Sequence, residues 1–356
     1  MGETMRAAVL HAHGGRDAIR LEEVPVPRPG PGEVRVRVHA CGLNWLDVGV
    51  RRGPKFGPIP LPLIGGADIA GRVDALGPGV SGWQEGDPVV VYPLITCGLC
   101  EFCRRGEPTI CPHHRIVGEH VDGGLADYTV VPAANLLSKP SGLSFVQAAA
   151  LPVVAMTAWH MLLHVGQLRA GETVLVQGAG GGVASFGIQL ARHAGARVLA
   201  TTSTQEKMAR ARALGAHQVF DYRDPDWPDQ VLAATQGRGV DLVQDNVGAA
   251  TWPHGLRVLA RGGRLVTCGS HSGAQVQVEI GAIYHRQLRI LGANGGTYPD
   301  LARALALVEA GAVRPVVDRV LPLEQVHQAH RILEEGRHFG KVVIELVELP
   351  SEATRP

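Results

Sequence analysis

ETVLVQGAGGGVASFGIQLARHAG (172–195) is the stretch from which the fold is read. ETVLVQ is a short apolar run of the kind that forms a buried strand, a Gly-rich turn follows, and FGIQLARHA has the make-up of a helix. Downstream the alternation continues through ARVLATT (196–202), helical KMARARALGA (207–216), HQVFDY (217–222), VDLVQDNVG (240–248) and GGRLVTCGS (262–270). Strand and helix at this spacing predict an α/β protein with a parallel, doubly wound sheet. The turn meets the G-x-G-x-x-G pattern imperfectly: from Gly178 the third position is Val183, and from Ala179 the frame becomes A-x-G-x-x-A through Gly181 and Ala184. Gly181 allows a pyrophosphate to approach, the amides opening the helix at Gly182 and Val183 face its charge, and Ala184 lets helix and strand pack. A Gly-rich turn alone is weak evidence, but a strand before and a helix after it favour a dinucleotide site.

Working outward, residues 1 to about 140 have a different texture. Arg6–Leu10, Glu33–Ala40, Gly71–Leu76 and Asp87–Tyr92 are short strand-like runs bounded by Gly or Pro. Val34, Val36 and Val38 alternate with Arg35, Arg37 and His39, the period of two of a half-buried strand. A helical stretch from Ala148 is expected to break near Pro152. After about 295, a helix (Asp300–Ala310) and a last strand, GKVVIELV (340–347), read as returning to the first domain. The expected division is therefore 1–150 with 295–356 for a β-rich domain, and 151–294 for the dinucleotide domain.

Bulk properties narrow the class. The chain has 356 residues, 45% hydrophobic and 19% charged, with a net charge of +1. That balance is globular and gives no electrostatic reason to expect nucleic acid or an anionic membrane as partner. MGETMRAAVLHAHGG lacks a signal-peptide core, and Arg6 stands where a myristoylation signal wants Ser or Thr. The most apolar stretch, Ala148–Leu163, contains Pro152 and His160 and is too short to span a bilayer. A cytoplasmic location is the expectation.

Four of the six cysteines, Cys97, Cys100, Cys103 and Cys111, have the spacing C-x2-C-x2-C-x7-C within residues 93–115. Thiolates two residues apart in a tight turn converge on one ion, and the fourth arrives from the end of the loop. Structural zinc is expected; the gap of seven before the last cysteine departs from the three of an iron–sulfur ferredoxin. Four thiolates close the coordination sphere, so such an ion holds a loop and activates no water. Cofactor choice should be decided at the end of the next strand, near Thr201, Thr202 and Ser203. No Asp or Glu stands there to bind a ribose 2′-OH, whereas Ser203 is followed by Lys207 and Arg210, which favours NADPH over NADH. The same cations are also what a solvated helix face carries.

GLNWLDVGVRRG (42–53), GADIAG (66–71), GDPVVVYP (86–93), the cysteine lobe, GAGGGVASFGIQLA (178–191) and FGKVVI (339–344) occur in the order found in medium-chain alcohol dehydrogenases and quinone oxidoreductases. The chain resembles that superfamily over nearly its whole length. The resemblance implies a GroES-like β-rich catalytic domain with an inserted Rossmann domain, and association into homodimers or homotetramers. The lobe is similar to that of the zinc alcohol dehydrogenases, but the chemistry positions look like the quinone oxidoreductase branch. The Cys, His and Glu of the catalytic zinc segment correspond to Asn44, Ala67 and Asp68, the later ligand falls near Val153, and the proton-relay hydroxyl corresponds to Leu46. By contrast G-x-N-x-x-D-x-x-x-R-x-G is matched at Gly42, Asn44, Asp47, Arg51 and Gly53.

What the resemblance implies for residues is this. Asn44 reaches the nicotinamide side and Thr157 contacts the cofactor. Ser203, Lys207 and Tyr222 surround the 2′-phosphate, Val247, Gly269 and Ser270 line the nicotinamide path, and Lys341 lies near the phosphates. The tyrosine proton donor of many enone reductases is replaced by Lys55 and Phe56, so the donor has no candidate. Asn44 and Asp47 are the catalytic candidates, with a structural role for Asp47 at least as well supported. Buried Cys41 is expected to be inert, and the sixteen histidines fall in no motif. The expected reaction is NADPH-dependent reduction of a quinone, an α,β-unsaturated carbonyl or a simple carbonyl without a standard catalytic zinc. The alternatives are an alcohol dehydrogenase with a non-standard zinc site, acting on an alcohol, and a non-catalytic NADPH-binding protein.

Overall fold

The computed structural model describes residues 2–54 and 57–346, so Lys55 and Phe56 lie outside the described residues. The chain divides into two compact units, the first running to Pro152 and resuming at Val317, the second spanning Val153–Val316.

The first unit is β-rich. Its largest sheet is organised around the strand Glu33–Leu43, which pairs antiparallel with Asp68–Leu76, Tyr128–Pro132 and Lys341–Glu345. Val34, Val36 and Val38 are fully buried while the intervening polar residues face outward, as the alternation predicts. The strand continues three residues past Ala40, because Cys41, Gly42 and Leu43 pair on one side with Asp68–Ile69 and on the other with Val342–Ile344. Gly42 is required there: a Cβ would collide with the Ala149 carbonyl of the helix Phe145–Ala149. A separate three-stranded sheet pairs Thr4–Leu10 with Ile19–Pro25 and Leu63–Ile64, and its buried side chains join the same apolar core.

The second unit is the doubly wound sheet. Six strands, Gln218–Asp221, Arg197–Thr202, Thr173–Val176, Val240–Asp245, Leu259–Thr267 and Arg289–Gly292, lie side by side in that order and all run parallel. Numbered within the unit this is 3-2-1-4-5-6, the Rossmann order, whose topological switch point lies between Thr173–Val176 and Val240–Asp245. The crossover after Thr173–Val176 is the helix Gly182–His193.

The return to the first unit comes later than residue 295. Arg289–Gly292 is the sixth strand of the parallel sheet, and the helix after it, Tyr298–Glu309, buries Leu301, Ala304, Leu305 and Val308 within the second unit. The chain rejoins the β-rich unit at Val317, with the strands Val317–Pro322 and Lys341–Glu345 and the helix Val326–Glu334. Among the described residues no helix is long and apolar enough to cross a membrane.

Candidate active site

Two sheet registers assemble the first group. In one, Val342 stands opposite Leu43, which brings Lys341 opposite Asn44; in the other, Asp68 stands opposite Gly42. The three side chains close a triangle of hydrogen bonds. Lys341 Nζ donates to Asn44 Oδ1 at 2.6 Å and to Asp68 Oδ2 at 2.6 Å, and Asn44 Nδ2 donates to Asp68 Oδ2 at 2.9 Å. All three are buried: Lys341 is 3% exposed, Asn44 8% and Asp68 0%. A carboxylate so buried requires a countercharge, and the Lys341 ammonium provides it.

Asn44 also caps the helix Trp45–Arg52, and Asp47 reaches back one turn to bind it. Asp47 Oδ2 accepts the Asn44 N–H at 2.6 Å and Oδ1 accepts the Gly66 N–H at 3.0 Å. Gly66 has φ +96 and lies against Cys41, where a Cβ would come within 2.6 Å of the sulfur. Burial pushes the Asp47 carboxyl up to about 6, although the Asn44 N–H bond and the Lys341 charge pull it down. Both carboxylate oxygens are thus committed to backbone amides, and Asp47 ties the helix start to the loop that carries Asp68. Arg51 is not its partner, since the guanidinium binds the Gly14 carbonyl at 2.8 Å and Glu334. Burial pushes the Cys41 thiol well above its ordinary value, which leaves it protonated and inert.

The cysteine lobe fits a tetrahedral ion. Cys97 Sγ lies 3.9 Å from Cys103 Sγ and 3.6 Å from Cys111 Sγ, while Zn–S bonds of about 2.3 Å set tetrahedral S···S edges of about 3.8 Å. The Cys100 N–H points to Cys97 Sγ at 3.4 Å and the Cys103 N–H to Cys100 Sγ at 3.5 Å, a turn geometry that stabilises thiolates. All four sulfurs lie within 4.8 Å of one another.

In the second unit the Gly-rich turn lies at the carboxyl edge of the sheet, next to the switch point. Gly178 has φ +70, its N–H donates to Thr201 Oγ1 at 3.2 Å, and the Ala179 N–H donates to the Thr201 carbonyl at 2.8 Å. Gly181 is the N-cap of the helix Gly182–His193, which no side chain caps, so the amides of its first turn are available for phosphate. A Cβ at Gly181 would stand 3.5 Å from its nearest neighbour, the Gly178 carbonyl. Ala184 is fully buried, and a Cβ at Gly187 would collide with the side chain of Gln244 on the adjacent strand. Gly187, a glycine outside the motif, thus makes room for the Gln244 side chain between helix and strand.

Ser203 follows the strand Arg197–Thr202, Lys207 lies in the first turn of the helix capped by Thr204, and the Tyr222 N–H bonds the Thr202 carbonyl at 3.0 Å. Tyr222 is 46% exposed. Across the switch point the Val247 N–H donates to Asp245 Oδ1 at 2.9 Å, and Gly269 packs against the Asn246 backbone so closely that no Cβ fits. These two loops bring Val247, Gly269 and Ser270 to the same edge, and Val247 would lie 3.1 Å from a Cβ at Gly178. Thr157 is buried in the helix Pro152–Trp159. Ten of the predicted cofactor positions thus belong to the second unit, while Asn44 and Lys341 belong to the first.

Residues 30–141 match the alcohol dehydrogenase GroES-like domain family and residues 214–344 match the zinc-binding dehydrogenase family. The chain belongs to the medium-chain dehydrogenase/reductase superfamily. As a member it is an NAD(P)-dependent oxidoreductase. It is 32% identical over 349 residues to a NAD-dependent alcohol dehydrogenase of Sulfolobus acidocaldarius, covering 96% of this chain and 100% of that one. It is 29% identical to a quinone oxidoreductase of Rattus norvegicus, covering 96% and 97% of the two chains. A solved structure of a NAD-dependent alcohol dehydrogenase superposes with a TM-score of 0.92 at 46% identity, covering 96% of this chain and all of that one.

Sequence reasoning singled out Asn44 and Lys341 separately and missed that Asp68 joins them. The available signal was Asp68 itself, an acid kept in a segment that had lost its histidine. It gave His160 and His164, candidates outside any motif, no role, because their partner Asp300 lies far along the chain.

Proposed function

We propose that this protein transfers hydride from NADPH to a quinone, an α,β-unsaturated carbonyl or a simple carbonyl, without a catalytic zinc. The observation that carries this reading is the Lys341 ammonium on Asp68 and Asn44. A catalytic zinc takes about three protein ligands and an open position. The corresponding positions here offer an amide at Asn44, an alanine at Ala67, a valine at Val153 and one carboxylate at Asp68, which already has a cation. Bound NADPH supplies the hydride. The chain supplies a fixed positive charge and the Asn44 amide to stabilise the oxygen that becomes negative. Asp47 is a positioning residue that holds Asn44 in register.

Absence of an acid at the end of Arg197–Thr202, together with Ser203, Lys207, Arg210 and Tyr222, supports the NADPH preference. Gly181, Gly182 and Val183 serve the pyrophosphate, Thr157, Val247, Gly269 and Ser270 serve the nicotinamide side, and Cys97, Cys100, Cys103 and Cys111 hold a structural zinc. A homodimer or homotetramer is supported by the exposed edge strand Arg289–Gly292 and by the neighbouring helix, where Ile280 is 74% and Tyr284 64% exposed.

The test is NADPH oxidation with an enone, a quinone and an aldehyde, before and after treatment with excess 1,10-phenanthroline. Turnover of at least one acceptor that survives the chelator is expected. Activity lost to the chelator and restored by zinc identifies the zinc-dependent alcohol dehydrogenase alternative. NADPH binding with no turnover of any acceptor identifies the non-catalytic one.

A further inference from the structure

We propose a second metal site, in the second unit, where His160, His164 and Asp300 hold one divalent transition-metal ion of the zinc type. It stands apart from the chemistry proposed for Lys341 and does not depend on it.

His160 and His164 lie four residues apart in the segment His160–Val165, which is wound as a π-helix. Such wider turns recur at functional sites. Their rings stand 4.5 Å apart at 56°, and both turn Nδ1 toward the same carboxylate. His160 Nδ1 is 2.7 Å from Asp300 Oδ2, and His164 Nδ1 is 3.3 Å from Asp300 Oδ1. One ligand atom from each residue lies within 4.8 Å of the others. Zinc bonds of about 2.0–2.1 Å to nitrogen and oxygen require tetrahedral edges of about 3.3 Å, so the three donors need shift by less than about 1.5 Å to enclose an ion.

The carboxylate is anchored independently of the histidines. Asp300 Oδ2 accepts the Thr297 N–H at 2.9 Å, and Thr297 Oγ1 accepts the Asp300 N–H at 3.1 Å, in the capping box that opens the helix Tyr298–Glu309. Metal ligands are oriented by outer bonds of this kind. Access is one-sided: the Asp300 and His160 side chains are 1% and 7% exposed, but that of His164 is 43% exposed. An ion entering past His164 would meet two imidazoles and one carboxylate and keep its fourth position for water.

Among the described residues, His160 and the Thr297 N–H both bind Asp300 Oδ2 and tie His160–Val165 to Tyr298–Glu309, while Oδ1 meets only His164. The two imidazoles thus present the same nitrogen to the two oxygens of one buried carboxylate, one of them from a half-exposed position. Two imidazoles and a carboxylate suit zinc, cobalt or nickel.

The experiment adds Co(II) to the zinc-loaded, full-length protein and follows visible absorption, in wild type and in His164→Ala, His164→Gln and Asp68→Asn. His164 is surface-accessible, so its variants keep the Asp300 cap and the His160 bond. The expected result is one equivalent of Co(II) with ligand-field bands and no thiolate charge-transfer band. Affinity should fall at least tenfold in both His164 variants and stay unchanged in Asp68→Asn. Zn(II) should raise the Tm of wild type and leave that of His164→Ala unmoved. Equal Co(II) uptake by wild type and His164→Ala overturns the site, as does no uptake free of thiolate bands. Uptake lost only in Asp68→Asn overturns it too, and counts separately against the zinc-free reading of Lys341.

Discussion

The first unit contains two places where this superfamily invites zinc, and they differ in every property that governs metal binding. At the lobe, four thiolates from residues 97–111 stand at tetrahedral spacing in one local turn. At the other, residues from three strand ends far apart in sequence, Asn44, Asp68 and Lys341, supply one amide, one carboxylate and a cation of their own. The lobe suits an ion because all four of its donors are soft sulfurs within reach of one another. The buried triangle has no call for one, because its only negative charge is already answered. On the proposed reading, zinc holds the loop in this chain and takes no part in the chemistry.

The contrast breaks most readily at Lys341. Lys341→Met should lower kcat/KM about 10²- to 10³-fold, the scale of losing a preorganised donor to a developing oxyanion. It also strands the Asp68 carboxylate, costing about 3–5 kcal/mol of stability. The double variant Lys341→Met/Asp68→Asn should recover Tm in thermal melts but not rate, which separates folding from catalysis.

The lobe should respond in the opposite sense. Cys103→Ser should release its zinc and make residues 93–115 about tenfold more sensitive to limited proteolysis, read by mass spectrometry, with cofactor affinity within about twofold of wild type, since loss of a structural ion unfolds what it held. For the second unit, Lys207→Ala should raise the KM for NADPH about tenfold, equivalent to about 1.4 kcal/mol, and leave that for NADH unchanged.

The smallest effect concerns Asp47. Its folded-state value of about 6 lies above the ordinary 3.8, so the native state binds the extra proton between them. The associated stabilisation is complete below about pH 4 and is lost as pH rises through about 6. The Tm of wild type relative to Asp47→Asn should therefore decline by a few degrees from pH 4 to pH 7. A flat difference would mean that Asp47 titrates normally.

The parts readable in the sequence are those whose physics is local. The Rossmann unit declared itself through apolar runs and a Gly-rich turn, and the lobe through cysteine spacing. Helices at Trp227–Ala234 and Trp252–Val258 and the strand Arg289–Gly292 were passed over, because each carries weak periodicity and is stabilised by the sheet beside it. The helix Tyr298–Glu309 reads from sequence as part of the β-rich domain, since no glycine-rich strand precedes it and the partners of its Asp300, His160 and His164, lie far back along the chain. The triangle was invisible for a related reason. Nothing near Asn44 announces that register will bring Lys341 and Asp68 to it.

The most direct test is an anomalous-difference map collected across the zinc absorption edge from crystals of the zinc-loaded protein. The account predicts a peak among Cys97, Cys100, Cys103 and Cys111, and none within bonding distance of the Asp68 carboxylate, with Lys341 Nζ still bonded to Asp68 and Asn44. A zinc peak on Asp68 with the Lys341 side chain displaced would contradict it.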